Sequence, residues 1–208
     1  MTGDNTAEQR ERLALLAFDL LRQRGKEITP EMLASEAGMS RHRLETVFPD
    51  EAAIFDAVAE LWFRPLTAIM EEVLASDLPA NRKLYEFIAR RFVHVRAGFR
   101  ADPAFFRLLC ELGSRHFERV RSYIDLADHY LCELIAQAQD EGHFEGLTID
   151  RALTLINQMI ACYTVADLLP MIEHRLSEDK LAAIVDTLFA GLSAKDGGAK
   201  GVLGLRAA

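Results

Sequence analysis

The sequence contains no apolar run that approaches the ~18 to 20 residues needed to cross a bilayer. Its first residues, MTGDNTAEQRERL, are polar, and they lack the basic start and the apolar middle of a secretory signal peptide. These two absences predict a cytoplasmic protein that has no membrane partner.

Cysteine is scarce, and its spacing excludes two common uses. The three cysteines are an odd number, far apart in the chain, so they form neither a disulfide framework nor a CxxC metal motif. Each lies within an apolar helical pattern, and free cysteine is among the most buried residue types. The pattern predicts buried, reduced thiols at Cys110, Cys132 and Cys162.

Motifs for catalysis are also missing. The sequence has no glycine-rich phosphate loop, no recognisable Ser-His-Asp or Cys-His context, and no Glu-x-x-His pair for a helical di-iron site. The histidines are too scattered to suggest a metal site. We therefore expect no enzymatic activity, no cofactor and no metal.

Positive charge is in deficit: the net charge is −8 at pH 7. Such a balance argues against a protein that coats nucleic acid without sequence preference. It leaves room for a small basic surface that reads DNA, because the distribution of charge matters more than its total.

The chain does contain a nearly continuous helical pattern, with apolar residues recurring at a period near 3.6 and no convincing alternating strand. Half of the residues are hydrophobic and 27% are charged, as in a soluble globular protein. The predicted fold is all-α, with short helices first and long ones after. We place helices at about 7–24, 30–38, 41–48, 50–74 (with a kink or break at Pro65), 80–99, 102–115, 117–141, 148–170 and 177–194.

The stretch EAGMSRHRLETVFPDE, residues 36–51, has the order of features that a helix-turn-helix requires. Gly38 provides the turn, Ser40 caps the second helix, and Leu44 with Phe48 anchors that helix inward. The outward residues would include basic side chains suited to guanine or phosphate. The alternative is an ordinary corner between short helices with a solvated basic turn.

From Leu13 to about Trp62 the sequence resembles the tetracycline-repressor-like (TetR) family of bacterial regulators. The positions that match the family motif in register are Thr29, Leu33, Ala34, Ala37, Gly38, Met39, Ser40, Leu44 and Phe48. The residues assigned to DNA contact are Thr29, Ser40, Arg41, His42, Arg43 and Thr46. Two acids depart from the pattern: Glu45 stands where the family has a phosphate-binding tyrosine, and Glu51 where it often has lysine.

The resemblance implies two domains. Residues 1–64 would form a three-helix helix-turn-helix domain, and 65–195 a larger helical ligand-binding and dimerisation domain. The end of the chain, AKDGGAKGVLGLRAA, has four glycines and no sustained periodicity, so residues 196–208 are predicted to be a disordered tail. A homodimer would form through the last two long helices, 148–170 and 177–194, which carry broad apolar faces. Simple core packing within one subunit is the alternative use of those faces.

Effector residues are expected where polar or aromatic side chains interrupt apolar faces. The candidates are Trp62, Arg91, Phe92, His94, Phe106, Cys110, Tyr123, Tyr130, Asn157 and Tyr163. The segment 82–100 is locally basic, with six arginines and lysines against one glutamate. Arg91, beside Phe87 and Phe92, could hold an anion such as an acyl or aromatic carboxylate; solvated helix charge is the alternative.

Together these features predict a ligand-responsive, dimeric transcriptional regulator. It would bind a double-stranded DNA operator as a repressor, and a small apolar or anionic effector would release it. The alternative is a helical small-molecule-binding or protein-docking module whose DNA-reading head has decayed, for which Glu45 and Glu51 are the motivation.

Overall fold

The computed structural model describes the backbone of residues 2–194 and the side chains of residues 6–194. Within this range all regular structure is helical, as predicted. The ten α-helices are α1 (Thr2–Arg24), α2 (Pro30–Glu36), α3 (Arg41–Glu45), α4 (Glu51–Ala75), α5 (Ala80–Ala101), α6 (Pro103–Arg115), α7 (Phe117–Asp140), α8 (Ile149–Thr164), α9 (Leu169–Ile172) and α10 (Glu178–Leu192). The predicted disordered tail, 196–208, lies outside the described residues.

Side-chain caps explain where several helices begin. Asp102 accepts a hydrogen bond from the Phe105 amide at 3.0 Å at the start of α6, and Ser177 accepts one from the Lys180 amide at 3.3 Å at the start of α10. Each cap satisfies one amide that has no partner within the helix. These local signals account for the agreement between the predicted and observed starts.

Two predictions about helix continuity need correction. The predicted break at Pro65 is wrong, because Pro65 lies inside the uninterrupted helix α4; it is exposed, on a side of the helix that water can reach. The predicted helix 148–170 is also wrong, because it ends at Thr164 and is followed by a 3₁₀ turn and α9. Pro170 lies in the first turn of α9, where its missing amide hydrogen has no helical partner to lose.

The described chain divides into two compact units. The first joins Met1–Ala68 to Arg96–Asp125, and the second joins Ile69–Val95 to the described residues from Leu126 onward. Neither matches a single continuous segment, because α4, α5 and α7 each contribute to both units. The predicted boundary between residues 64 and 65 would separate a DNA-binding segment from a ligand-binding segment, and it stays a prediction.

The core of the first unit connects α1 to the short helices that follow it. Leu13, Leu33, Leu44, Phe48 and Phe105 belong to one cluster of buried residues. Leu33 and Leu44 are fully buried, and Phe48 is 1% exposed. α2 and α3 are too short to be stable alone, so this shared core holds them in place.

The second unit has its own core around α5, α7, α8 and α10. In α8 the buried residues are Ala152, Ile156, Ile160 and Tyr163, and in α10 they are Leu181, Val185, Leu188 and Phe189. α8 and α10 pack against each other within one chain. Part of the apolar surface assigned to a dimer is therefore used inside the subunit.

No single helix in residues 2–194 is long and apolar enough to span a membrane. Taken together, the segments Ile149–Thr164 and Ala166–Arg175 have the required length and composition, but the chain bends by 42° between them.

Candidate functional site

The segment from Thr29 to Phe48 folds as two capped helices around a tight turn. Thr29 accepts a hydrogen bond from the Met32 amide at 3.3 Å, and Ser40 accepts one from the Arg43 amide at 3.3 Å. Between the helices, Gly38 has φ of 62°, in the left-handed region that favours glycine. The Met39 amide donates to the Ala34 carbonyl at 3.0 Å, which closes the turn.

The inward anchoring of this segment is confirmed. Leu33, Ala34, Leu44 and Phe48 are buried, and Met39 packs against their cluster while partly exposed. The cluster fixes which side of α3 faces away from the protein. We call that outward side, with the two caps, the reading face; its residues are Thr29, Ser40, Arg41, His42, Arg43 and Thr46.

All of the reading face except the partly exposed Thr29 is open to solvent. The two cap hydroxyls accept from backbone amides, so each keeps its own hydrogen to donate to a phosphate oxygen. Thr46 donates its hydroxyl to the Arg43 carbonyl at 2.7 Å. The side chains of the face are therefore accessible for contact with a ligand as large as DNA.

The two arginines of the reading face differ in what they contact. The Arg41 guanidinium donates to Glu45 at 2.9 Å and also forms an ion pair with Glu31 of α2. For Arg43 and His42, the described part of the chain offers no side-chain hydrogen bond or ion pair. Glu45 thus neutralises one of the two charges that sequence reasoning assigned to DNA.

Two acids, Asp50 and Glu51, lie at the start of α4, and both are exposed. Asp50 caps α4 by accepting from the Ala53 amide at 2.8 Å, which leaves Glu51 as a further negative charge in the first turn. Residues 1–64 contain four more acids than bases. This excess lowers the electrostatic attraction that phosphate contacts supply to most DNA-binding proteins.

The effector candidates separate into two groups. Trp62, Phe106, Cys110 and Tyr123 lie in the first unit; Arg91, Phe92, His94, Tyr130, Asn157 and Tyr163 lie in the second. Within the first unit, the Trp62 and Phe106 rings meet edge to face at 5.9 Å. Within the second, the Phe92 and Tyr163 rings meet at 5.0 Å.

Several polar candidates already bind protein groups. The Asn157 amide donates to Asp128 at 2.9 Å, the Tyr163 hydroxyl to the Ser177 carbonyl at 3.1 Å, and the Tyr130 hydroxyl to Glu71 at 2.8 Å. Tyr123 stacks on Phe63 with ring centroids 4.4 Å apart. His94 is exposed, and Cys110 is half-buried.

Arg91 stands apart from the other candidates. Its Nε atom is buried without a hydrogen-bond partner, and its guanidinium lies 5.1 Å from the centroid of the Phe87 ring. Burial lowers the pKa of Arg91 to about 10, and the charge of Asp128 opposes that shift in part. The residue as a whole is half-buried, so the unsatisfied group is this one N–H donor. A buried donor without an acceptor costs free energy.

A cavity of about 350 Å³ lies in the first unit. We call it the Trp62 cavity; it is lined by Arg22, Trp62, Gly98, Ala101, Asp102, Phe105 and Phe106. Two of these residues, Trp62 and Phe106, were candidates from the sequence. The others were missed, because residues from α1, α5 and the start of α6 meet only through the tertiary fold.

Two other features differ from expectation. Cys162 is exposed, so the prediction of a buried thiol is wrong there; Cys110 and Cys132 are only half-buried, so it is met in part at those two positions. Lys83, seen in the sequence only as part of a basic run, is buried; its ammonium donates to Gln137 at 2.8 Å and to the Leu74 carbonyl at 3.0 Å.

Among the described residues, no group of three or more His, Cys, Asp or Glu could hold a metal ion.

A family model described as "Tetracyclin repressor-like, C-terminal domain" matches residues 80–185, half of the chain. No curated protein sequence matches.

Two solved structures share the fold. One is a TetR-family transcriptional regulator from Mesorhizobium loti MAFF303099, with a TM-score of 0.64 and 15% identity over 90% of this chain and 96% of that chain. The other is the TetR-family transcriptional regulator PfmR from Thermus thermophilus, with a TM-score of 0.53 and 18% identity over 86% of this chain and 94% of that chain.

Proposed function

Since the chain belongs to the tetracycline-repressor-like (TetR) family of transcriptional regulators, we propose that it is a dimeric repressor that a small effector releases from its operator. It acts in the cytoplasm, where bacterial DNA is, and it has no catalytic role. The observation that carries this proposal is the reading face, an exposed basic turn on a helix-turn-helix.

The geometry of α2 and α3 supports operator binding. A recognition helix must present its first turn to base edges while its other side is held by the protein. Leu44 and Phe48 provide that hold, and His42 and Arg43 are exposed on the opposite side. Arginine is the commonest reader of guanine because it donates two hydrogen bonds to the O6 and N7 atoms.

Dimerisation is supported by exposed apolar residues along and after α8. Met159 is 48% exposed and Val165 is 44% exposed, although their neighbours Ile156 and Ile160 are buried. A second subunit would cover these side chains. It would also provide a second reading face, and two half-sites about 34 to 36 Å apart compensate for the small contact of one short helix.

The effector in this proposal is an anion held in the second unit by Arg91. Its buried Nε has no partner in the described residues, and the aromatic rings of Phe87 and Phe92 are close in sequence on α5. A carboxylate would accept two parallel hydrogen bonds from the guanidinium, in the geometry that makes arginine a frequent carboxylate ligand.

A second function is favoured by two ion pairs of Arg41. Glu31 and Glu45 hold Arg41, so a DNA-reading head that has decayed into a protein-docking module would look similar. Selection of purified protein against random genomic fragments separates the two functions. A repressor enriches a two-fold symmetric sequence at low salt, whereas enrichment of no sequence would contradict the operator proposal and favour the docking module.

A further inference from the structure

We propose that the Trp62 cavity is a second effector site, which binds an aromatic carboxylate and transmits its occupancy to the reading face. The regulatory part of this inference rests on the proposed function. The binding part does not, because it can be measured without DNA.

The size and the walls of the cavity fit one or two aromatic rings. Its volume of about 350 Å³ lies at the lower end of ligand pockets, which hold roughly 300 to 1,000 Å³. The Phe106 ring contacts Trp62 at 5.9 Å and Phe99 at 5.3 Å, both edge to face. These aromatic walls favour a planar apolar ligand through edge-to-face and stacked contacts.

Gly98 keeps one wall of the cavity open. A β-carbon built at this position would lie 3.7 Å from the Trp62 ring, in ordinary van der Waals contact. The absence of a side chain therefore leaves the space beside the indole free. Since a β-carbon fits without displacing the ring, a larger side chain at residue 98 would extend into space that the ligand requires.

Arg22 provides the polar recognition. Its guanidinium lies 4.9 Å from the centroid of Phe105 and 5.7 Å from that of Phe18, so aromatic rings restrain it. Its one ion pair, with Asp102, spans 4.0 Å, too long for a hydrogen bond. The other oxygen of Asp102 is occupied as the cap of α6. The N–H groups of the Arg22 guanidinium are therefore available to a ligand carboxylate. Such a carboxylate would accept two parallel hydrogen bonds from the guanidinium, which Asp102 does not do.

Phe105 connects the cavity to the reading face. It lines the cavity, and it also belongs to the buried cluster that contains Leu33, Leu44 and Phe48. Protein cores are close-packed, so a shift of one member is transmitted to its neighbours. A ligand that moves Phe105 changes the support of α2 and α3, and we expect it to weaken operator binding.

The experiment uses Trp62 as its own reporter, because it is the only tryptophan in the chain. Full-length protein is titrated with benzoate, phenylacetate and indole-3-acetate, and with the corresponding neutral amides, while tryptophan fluorescence is recorded; calorimetry checks each saturable signal. We expect at least one carboxylate to bind at least about tenfold more tightly than its amide, as a charge-assisted hydrogen bond provides.

Matched variants locate the site. Arg22→Met should weaken the carboxylate by about tenfold or more, to the level of the amide. Arg24→Met is the control, since Arg24 lies on the same turn of α1, is 54% exposed against 52% for Arg22, and pairs with Glu36 at a similar 3.8 Å. Gly98→Leu should abolish binding of both probes, with circular dichroism to verify the fold. Arg91→Met should leave the fluorescence titration unchanged.

Four outcomes would overturn the proposal: no saturable change with any carboxylate, amides that bind as tightly as their acids, equal losses in the Arg22 and Arg24 variants, or loss of the signal in Arg91→Met. If the carboxylate binds but operator affinity is the same at saturating ligand, the regulatory part is wrong. If the wild-type protein binds no operator at all, the proposed function and this regulatory part fail together, while the titration still decides the binding site.

Discussion

Arg41 and Arg43 lie on the same short helix but have different surroundings. Arg41 is held by Glu31 and Glu45, and Arg43 projects into solvent with its side chain unpaired among the described residues. An arginine without a competing carboxylate loses no ion pair when it binds a base. We therefore assign the larger share of base recognition to Arg43.

Replacing Arg43 by alanine tests that assignment. Loss of a bidentate arginine–guanine contact removes about 1 to 3 kcal/mol of discrimination, so specificity should relax at one position of each half-site. Competitive binding to a set of single-base operator variants measures the effect. Arg175→Ala, an exposed arginine of the second unit, is the control; an Arg43 variant with the wild-type profile would contradict the assignment.

Replacing Glu51 by lysine addresses the acids beside the reading face. If residue 51 faces phosphate, the new cation adds one phosphate contact, and the slope of log affinity against log salt should steepen by about one unit. Affinity should rise for all sequences alike, because phosphate contacts carry no sequence information. Binding is measured across a salt series. Glu133→Lys, another exposed acid, should leave the slope unchanged, and equal slopes in both variants would exclude the contact.

Arg91 and its neighbour Arg90 make a second contrast at the scale of single residues. Arg90 donates to Glu72 at 2.7 Å, and this hydrogen bond raises the pKa of Arg90. Burial lowers the pKa of Arg91 from its ordinary range to about 10. Because the folded-state value is the lower one, the charge of Arg91 opposes folding at all pH values below about 10. The contribution of this group to stability would rise only as the pH passes above about 10, toward the ordinary arginine pKa.

Replacing Arg91 by methionine should therefore stabilise the protein. Removing the buried, unsatisfied Nε donor and the partly desolvated charge, while keeping the apolar stem, is expected to raise the free energy of unfolding by about 1 to 3 kcal/mol at neutral pH. Urea denaturation measures the change. The matched Arg90→Met variant loses an ion pair and should be no more stable than wild type. A destabilised Arg91 variant would mean that the side chain stabilises the fold, which would contradict its proposed role as an unsatisfied donor available to an anion.

At the scale of secondary structure, the turn between α2 and α3 depends on one backbone conformation. Gly38 has φ of 62°, and a β-carbon there would meet no atom within 4 Å. Any cost of a side chain at this position thus comes from the backbone and not from crowding. Gly113, inside α6, has equally open surroundings, and its φ is not in the left-handed region.

The pair of glycines gives a matched test. Gly38→Ala should lower the free energy of unfolding by about 1 kcal/mol, because alanine disfavours the left-handed region. Gly113→Ala should raise it by about 0.5 to 1 kcal/mol, since alanine is the better residue inside a helix. Denaturant titration of both variants measures the difference. If both variants changed the free energy of unfolding in the same direction, the left-handed conformation at Gly38 would not be the cause of the effect.

At the scale of the whole molecule, the apolar residues of α8 include buried ones, which belong to the subunit core, and exposed ones, which belong to the proposed interface. Ile160 is 1% exposed, as is Leu188 of α10. A charge at either position would unfold the subunit before it could report on assembly. Met159 is exposed, so it is the better place to test the proposed interface.

Replacing Met159 by glutamate should convert a dimer to a folded monomer. A desolvated, unpaired charge at an interface costs several kcal/mol, while the subunit core is untouched. Light scattering at micromolar concentration reports the mass, and circular dichroism reports the fold. Leu15→Glu is the control, because Leu15 is 49% exposed against 48% for Met159 but lies on α1. A monomeric wild-type protein would contradict the dimer.

The sequence by itself determined the all-helical class, most helix starts and the inward anchoring of the reading face, because their signals are local. A cap acts on an amide three residues away, as Ser40 and Thr29 show, and the period of apolar residues identifies the buried side of each helix. The pairing of Leu44 with Phe48, four residues apart, follows from the same geometry. These interactions are short in sequence, so the order of residue types is sufficient to predict them.

Only the tertiary structure decided which distant residues meet and which charges lose their solvent. Arg22, Gly98 and Phe105 come from three helices, and their convergence around one cavity has no local signature. The sequence likewise could not distinguish Arg91, whose Nε is buried without a partner, from the paired Arg90 beside it, or show that Glu31 would pair with Arg41. Burial and long-range pairing depend on how helices pack, and many packings are compatible with the same local pattern.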